Sequence, residues 1–154
     1  MGLRWHTVVV DCLDVEAQAA WWAEVMDWRR LPAGEDVVIV PAAVADGAFS
    51  GSPDDRGPLI IFVPSDAPRR SKSRLHLDLA PREGSTQRAE VDRLLGLGAT
   101  PVDIGQGPDV PWVVLADPEG NEFCVLSDGM PWAGSGAPSP AGPFPVRLTA
   151  CSVA

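Results

Sequence analysis

Cysteine and basic side chains are scarce in this chain of 154 residues, and each shortage excludes something. Cys12, Cys124 and Cys151 are too few, and odd in number, to form a disulfide framework, which points to a reduced, cytoplasmic protein. Twelve Lys and Arg against twenty-one Asp and Glu leave a formal net charge of −9. That balance repels phosphate backbones and anionic lipid, so neither nucleic acid nor a membrane surface is an expected partner. No apolar run approaches the roughly 18 residues of a membrane span. Met1-Gly2-Leu3-Arg4-Trp5-His6 lacks the apolar stretch of a signal peptide. Also missing are a Gly-x-Ser-x-Gly elbow, paired CxxC motifs and a Walker loop. Gly105-x-Gly107 is too short for a dinucleotide fingerprint, and Pro108 argues against a phosphate-cradling helix start. Cys151-Ser152-Val153-Ala154 has the outline of a prenylation box, but no polybasic stretch precedes it and it reads as accidental.

What is present is an ordinary globular composition, 45% apolar and 21% charged, at the size of one domain or two half-domains. Leu3 to Asp11, with Thr7-Val8-Val9-Val10 at its centre, reads as a strand buried on both faces. Asp14 is placed to cap a helix over 14–27 with Val15, Ala19, Trp22 and Met26 on its stripe, widened by Trp21, Val25 and Trp28. A turn at Pro32-Ala33-Gly34, a strand at Val37–Val40, a polar loop from Asp46 to Gly57 and a strand at Leu59–Val63 follow. After the linker-like stretch 64–73, the pattern restarts. It predicts a strand at Arg74–Leu79, a helix capped by Ser85 with Val91, Leu94 and Leu95 buried, and strands at Ala99–Ile104, Pro111–Ala116 and Glu122–Leu126. Asp117-Pro118-Glu119-Gly120 has the residues of a type I turn and makes the last two strands a hairpin.

An offset of 69 residues lays Thr7 on His76, Asp14 on Glu83 and Trp22 on Val91. The chain therefore divides into a βαβββ module at 1–63, a linker at 64–73, a second βαβββ module at 74–128 and a Pro/Gly/Ala-rich tail at 129–154. The fold class is α+β, with the two modules building a shared concave sheet.

Val10-Asp11-Cys12-Leu13-Asp14 running into Ala20-Trp21-Trp22-Ala23-Glu24, Leu75-His76-Leu77-Asp78-Leu79, Val91 to Thr100 and Asp117-Pro118-Glu119-Gly120-Asn121-Glu122-Phe123 together resemble the vicinal oxygen chelate superfamily, in its glyoxalase-like, bleomycin-resistance and dioxygenase branch. The resemblance spans about residues 4–128 and implies a small-molecule pocket; it does not choose a reaction, because this scaffold hosts unrelated chemistries. Metal-dependent members hold a divalent ion at four positions, which the resemblance maps onto Thr7, Ile61, His76 and Cys124. Only His76 is a usual ligand there, so no cofactor is expected. A divalent metal is the lesser alternative, held by His76, Glu122 and a re-aimed His6 as for non-haem iron, or by His76, Cys124 and Glu122 as for zinc.

If the modules pack as in the family, Thr7, Asp11, His76, Asp78, Glu122 and Cys124 line one cavity. His76 with Glu122 or Asp78 then makes a general acid/base set, while Thr7, Asp11, Trp112 and Cys124 contact the ligand. For each a plainer role stands beside this one. Asp11 and Asp78 would bind backbone amides at strand ends, Cys124 would be a buried small hydrophobe, and Trp112 would cover the sheet edge instead of stacking on a planar ligand. Two functions follow. One is a lyase- or isomerase-type enzyme; the other is a non-catalytic binding protein of the bleomycin-resistance type. Either would work as a monomer or homodimer.

Overall fold

The computed structural model describes residues 2–52, 57–67, 70–105, 107 and 109–128. The chain forms two compact units, 1–70 and 71–154. The tail from residue 129 onward, with Trp132 and Cys151, lies outside the described residues.

The first unit runs β1 (Thr7–Cys12), α1 (Val15–Met26), β2 (Trp28–Ala33), β3 (Asp36–Pro41), α2 (Ala42–Ala45) and β4 (Leu59–Pro64). Its sheet has the order β1-β4-β3-β2, with β1 parallel to β4 and the other pairs antiparallel. The Asp14 carboxylate accepts from Ala17 N at 2.9 Å, satisfying one of the free amides of the α1 N-terminus. The helix ends at Asp27, whose left-handed φ of 53° turns the chain directly into β2. α1 packs on β2, β3 and β4 and buries Ala19 and Trp22 against a floor that includes Ile39 and Phe62. Trp21 and Trp22 meet edge to face at 5.1 Å.

Three expectations fail here. β1 is covered on one face only: Cys12 is buried, but Val9 is 56% exposed, so the β-branched run reflected strand propensity and not two-sided burial. It also starts at Thr7, later than Leu3. Trp28 belongs to no helix, and Pro32 and Ala33 lie in a strand that the turn assignment concealed. β2 is an edge strand, where the missing N–H of Pro32 costs no ladder bond, and the reversal itself falls on Gly34 at φ 75°.

The second unit runs β5 (Leu77–Leu79), α3 (Gln87–Gly96), β6 (Thr100–Pro101), β7 (Trp112–Ala116) and β8 (Glu122–Leu126). The order β5-β8-β7-β6, with β5 parallel to β8, repeats that of the first unit. Two βαβββ modules in an α+β chain are what the structure shows, the first with the short α2 added. The elements correspond in order but not at the constant offset of 69, because the helix caps are Asp14 and Thr86, and β4 begins at Leu59 while β8 begins at Glu122.

The cap of α3 is Thr86, whose hydroxyl accepts from Ala89 N at 3.2 Å; Ser85 instead donates to Glu90 Oε1 at 2.6 Å. Asp128, just beyond β8, accepts from Gln87 N, so the helix start is also held from a distant point in sequence. Of the expected α3 stripe only Leu94 is buried; Leu95 is 38% exposed. The strand expected over Arg74–Leu79 begins only at Leu77, and Leu75 ahead of it is 88% exposed.

The β7–β8 turn is the expected one. Gly120 N donates to Asp117 O at 2.9 Å, and Gly120 takes the left-handed φ of 87° that glycine adopts without strain. The buried Asp117 carboxylate gathers Glu119 N, Asn121 N and Asn121 Nδ2. No helix among the described residues is long and apolar enough to cross a membrane.

Candidate functional site

Strand alternation sorts the side chains of the second sheet. Leu77, Phe123, Val125 and Leu115 fall on one face. Asp78, Glu122, Cys124, Val114 and Trp112 fall on the other, because Asp78 pairs with Cys124 across β5–β8 and Val114 pairs with Cys124 across β7–β8. Trp112, Val114 and Cys124 pack together, flanked by Val102, Ile104, Val110 and Leu126. His76 enters β5 two residues before Asp78 and points its Nε2 at Asp78 Oδ1, 3.1 Å away.

This face carries the chemistry-bearing groups of the second unit. Donor atoms of His76, Asp78 and Cys124 lie within 4.8 Å of one another. Cys124 is 1% exposed, whereas the side chains of His76 and Asp78 are 26% and 43% exposed, so the cluster runs from a buried thiol to a solvent-accessible carboxylate. A niche of about 10 Å³ sits among Lys72, Ser73, His76, Ile104, Glu122 and Cys124. That volume suits one water or one ion and no organic molecule. The Trp112 indole N–H is buried and donates to no acceptor among the described residues. Leaving a buried donor unmade costs roughly 1–3 kcal/mol, so an acceptor from a ligand would be favoured there.

The structure therefore brings His76, Asp78, Glu122, Cys124 and Trp112 onto one face of one sheet. Among the described residues Asp78 pairs with His76, and no backbone amide donates to its carboxylate. Trp112 is a packed residue with an orphaned donor, not an exposed stacking surface. Thr7 and Asp11 belong to the first unit. The Thr7 hydroxyl lies 3.1 Å from both Val8 O and Leu59 O, to either of which it can donate, and Asp11 is exposed on β1 opposite Val63. His6 is exposed just ahead of β1 and uses its carbonyl to accept from Leu59 N at 3.1 Å.

Lys72 and Ser73 were missed by the sequence reading, which left them in a solvated linker. Their only signal was nearness in sequence to His76. The roomier concavity, about 610 Å³, is an open groove in the first unit between α1 and β2, lined by Glu16, Glu24, Asp27, Arg29 and Arg30 among others. Arg30 and Glu16 pair there at 3.3 Å while both stay largely exposed. The residues lining that groove include no histidine or cysteine, so the reactive groups of the second unit do not lie in this roomier concavity.

A family model described as glyoxalase-like domain matches residues 7–126. The chain belongs to the glyoxalase-like domain family. Solved structures with the same fold include the fosfomycin resistance protein FosX from Listeria monocytogenes, at TM-score 0.59 and 11% identity over 82% of this chain and 92% of that one. A glyoxalase/bleomycin resistance/dioxygenase family enzyme from Burkholderia phytofirmans PsJN gives 0.57 and 17% identity over 80% and 97%. The oxidase ChaP-H2 gives 0.53 and 14% over 87% and 100%. FosX from Listeria also has a structure in complex with Mn(II) and a sulfate ion. At these identities the likeness concerns the fold. No curated protein matches the sequence.

Proposed function

We propose that this glyoxalase-like protein binds a small organic molecule over the His76–Asp78 face of the second unit and moves a proton on it, as a lyase or isomerase does. The observation that carries this is the 3.1 Å contact between His76 Nε2 and Asp78 Oδ1. A carboxylate accepting from Nε2–H fixes the imidazole tautomer and orientation, which leaves Nδ1 as the basic nitrogen. Both side chains are accessible enough to meet a ligand. Trp112 Nε1–H supplies a donor for an acceptor atom of the ligand. The niche beside His76 takes one atom of the molecule or one water, so the rest of the ligand lies outside it.

A hard cation such as the Mn(II) bound by FosX does not fit the corresponding residues here. Oxygen-rich and imidazole donors suit that ion, but Ile61 offers no donor, the Thr7 hydroxyl lies against backbone carbonyls and Cys124 offers sulfur. That same departure favours a second reading, a binding protein without turnover, in which the net charge of −9 draws a cationic ligand. Either activity belongs in the cytoplasm, carried out by a monomer or homodimer.

The test is a panel of small carbonyl compounds, epoxides and aromatic cations, with thermal shift for binding and NMR for chemical change. Acid–base catalysis predicts that His76→Ala lowers turnover by about 10²–10⁴ while the circular dichroism is kept. Asp78→Asn should lower it less, because the ring loses only its orienting partner. Full activity in His76→Ala removes the acid–base reading. Stoichiometric binding with an unchanged ligand replaces it with the second reading.

A further inference from the structure

We infer that the groove between α1 and β2 in the first unit binds a small organic cation with an apolar body, such as a primary or quaternary amine. Its volume of about 610 Å³ falls within the roughly 300–1,000 Å³ of small-molecule sites. Glu16, Ala20, Ala23 and Asp27 recur at steps of three and four residues, so they form one stripe of α1 overlooking the strand. The middle of the stripe is alanine, which leaves the space open. Trp28, Pro32 and Val37 supply the opposite, apolar wall. Register fixes the face: Pro32 pairs with Val37 and Val37 with Phe62, the ring buried under α1. Leu31, Val38, Ile61 and Val9 pair in turn on the other face, and Thr7, two residues before Val9, shares it. The groove is therefore separate from Thr7 and Ile61, the first-unit positions of the family's ion, and it uses no residue of the His76 face.

The charges along the groove select the ligand. At the Glu16 end the carboxylate is met by the Arg30 guanidinium at 3.3 Å. Arg29, next to it in β2, alternates away from α1 and joins the groove only at its rim. At the other end Glu24 and Asp27 bring two carboxylates beside the Trp28 indole, and the last turn of α1 holds no basic residue. The carbonyl end of a helix carries partial negative charge, which favours a cation there. Acidic residues work against that end, and Asp27 is also the one non-glycine residue with positive φ, 53°, among the described residues. Both features cost local stability, as residues kept for a site do. An indole beside carboxylates attracts an ammonium through the ring quadrupole and the charges together, while Ala20, Ala23 and Pro32 cover the apolar body of the ligand.

Titration of the isotope-labelled full-length protein with benzyltrimethylammonium chloride, followed by amide and indole NMR signals, reads affinity and location together. Benzyl alcohol and benzoate are the neutral and anionic controls. Saturable shifts confined to α1, β2 and the Trp28 indole are expected, several-fold weaker in affinity for benzyl alcohol and absent for benzoate. Glu24→Gln combined with Asp27→Asn should raise the dissociation constant by about 3–30-fold, the loss of two partly exposed ion pairs. Asparagine tolerates the left-handed backbone at position 27, so the turn is kept. Ala20→Arg places a good helix former at an exposed position, fills the groove with a second cation and should remove binding with the other signals unmoved. No saturable shift, benzyl alcohol bound as tightly, or unchanged affinity in either variant overturns the site. Shifts centred on His76, Asp78 and Trp112 also overturn it, and they support the non-catalytic reading of that face instead. Full turnover in His76→Ala removes the acid–base reading and leaves the groove standing.

Discussion

Replacing Asp117 with alanine takes away one buried carboxylate that serves three donors at the β7–β8 turn. Asp117 is 3% exposed. Its Oδ1 accepts from Glu119 N at 3.0 Å and Asn121 N at 2.9 Å, and Oδ2 accepts from Asn121 Nδ2 at 2.9 Å. Hydrogen bonds to a charged group contribute about 1.5–3 kcal/mol each. Glu119 and Asn121 are only half-buried, so water recovers part of the loss. The expected destabilisation of Asp117→Ala is then about 2–4 kcal/mol, a large part of a typical 5–15 kcal/mol total. Asp117→Asn keeps one acceptor oxygen but loses the charge and turns an amide NH₂ toward Asn121 Nδ2, so it should cost about 1–2 kcal/mol. Urea unfolding followed by circular dichroism and tryptophan fluorescence measures both, with the loss confined to the transition of the second unit if the two units melt separately. Asp117→Ala within about 0.5 kcal/mol of the parent, or Asp117→Asn costing more than alanine, would refute the reasoning.

Three further outcomes follow from individual contacts. The Ser85 hydroxyl and the Arg93 guanidinium hold the Glu90 carboxyl below its ordinary value of 4.5, so the folded state binds fewer protons there than the unfolded chain. This stability is present in full above that ordinary value and is lost as pH falls through the lowered one; Ser85→Ala should therefore destabilise near neutrality and cost less in acid, and a urea-midpoint difference that stays flat with pH counts against it. Phe62 is fully buried under α1, so Phe62→Ala should cost about 3–5 kcal/mol in the first unit, as read by thermal melting. Trp112→Phe removes a buried N–H that has no acceptor among the described residues, so unfolding stability should fall by less than about 1.5 kcal/mol while binding of a ligand that accepts from it weakens; a larger stability loss with unchanged binding contradicts that role.

Much of the site's raw material was legible without coordinates. His76 and Asp78 stand two apart in a strand pattern, as do Glu122 and Cys124, and period-two alternation alone assigns each pair to one face. The pairing of Asp78 with Cys124 was not legible, since their strands are joined through a helix and a hairpin, and nothing local sets parallel register. The single-atom size of the niche and the presence of Lys72 and Ser73 around it likewise depend on how side chains fill space.

The same division runs through the fold. Patterns spanning one strand, one turn of helix or one tight turn are encoded by neighbours in sequence. Thus α1 with its Asp14 cap, the Asp117–Gly120 turn, β8 and the doubled module are properties of the sequence itself. Tertiary packing alone decided that Val9 would face outward, that Leu95 would lie at the edge of its helix stripe, that Pro32 would sit in an edge strand and that Asp128 would return to hold the start of α3. Each of these depends on which surface another element happens to cover. That free energy comes from contacts between residues far apart in the chain, to which local propensity and periodicity are blind.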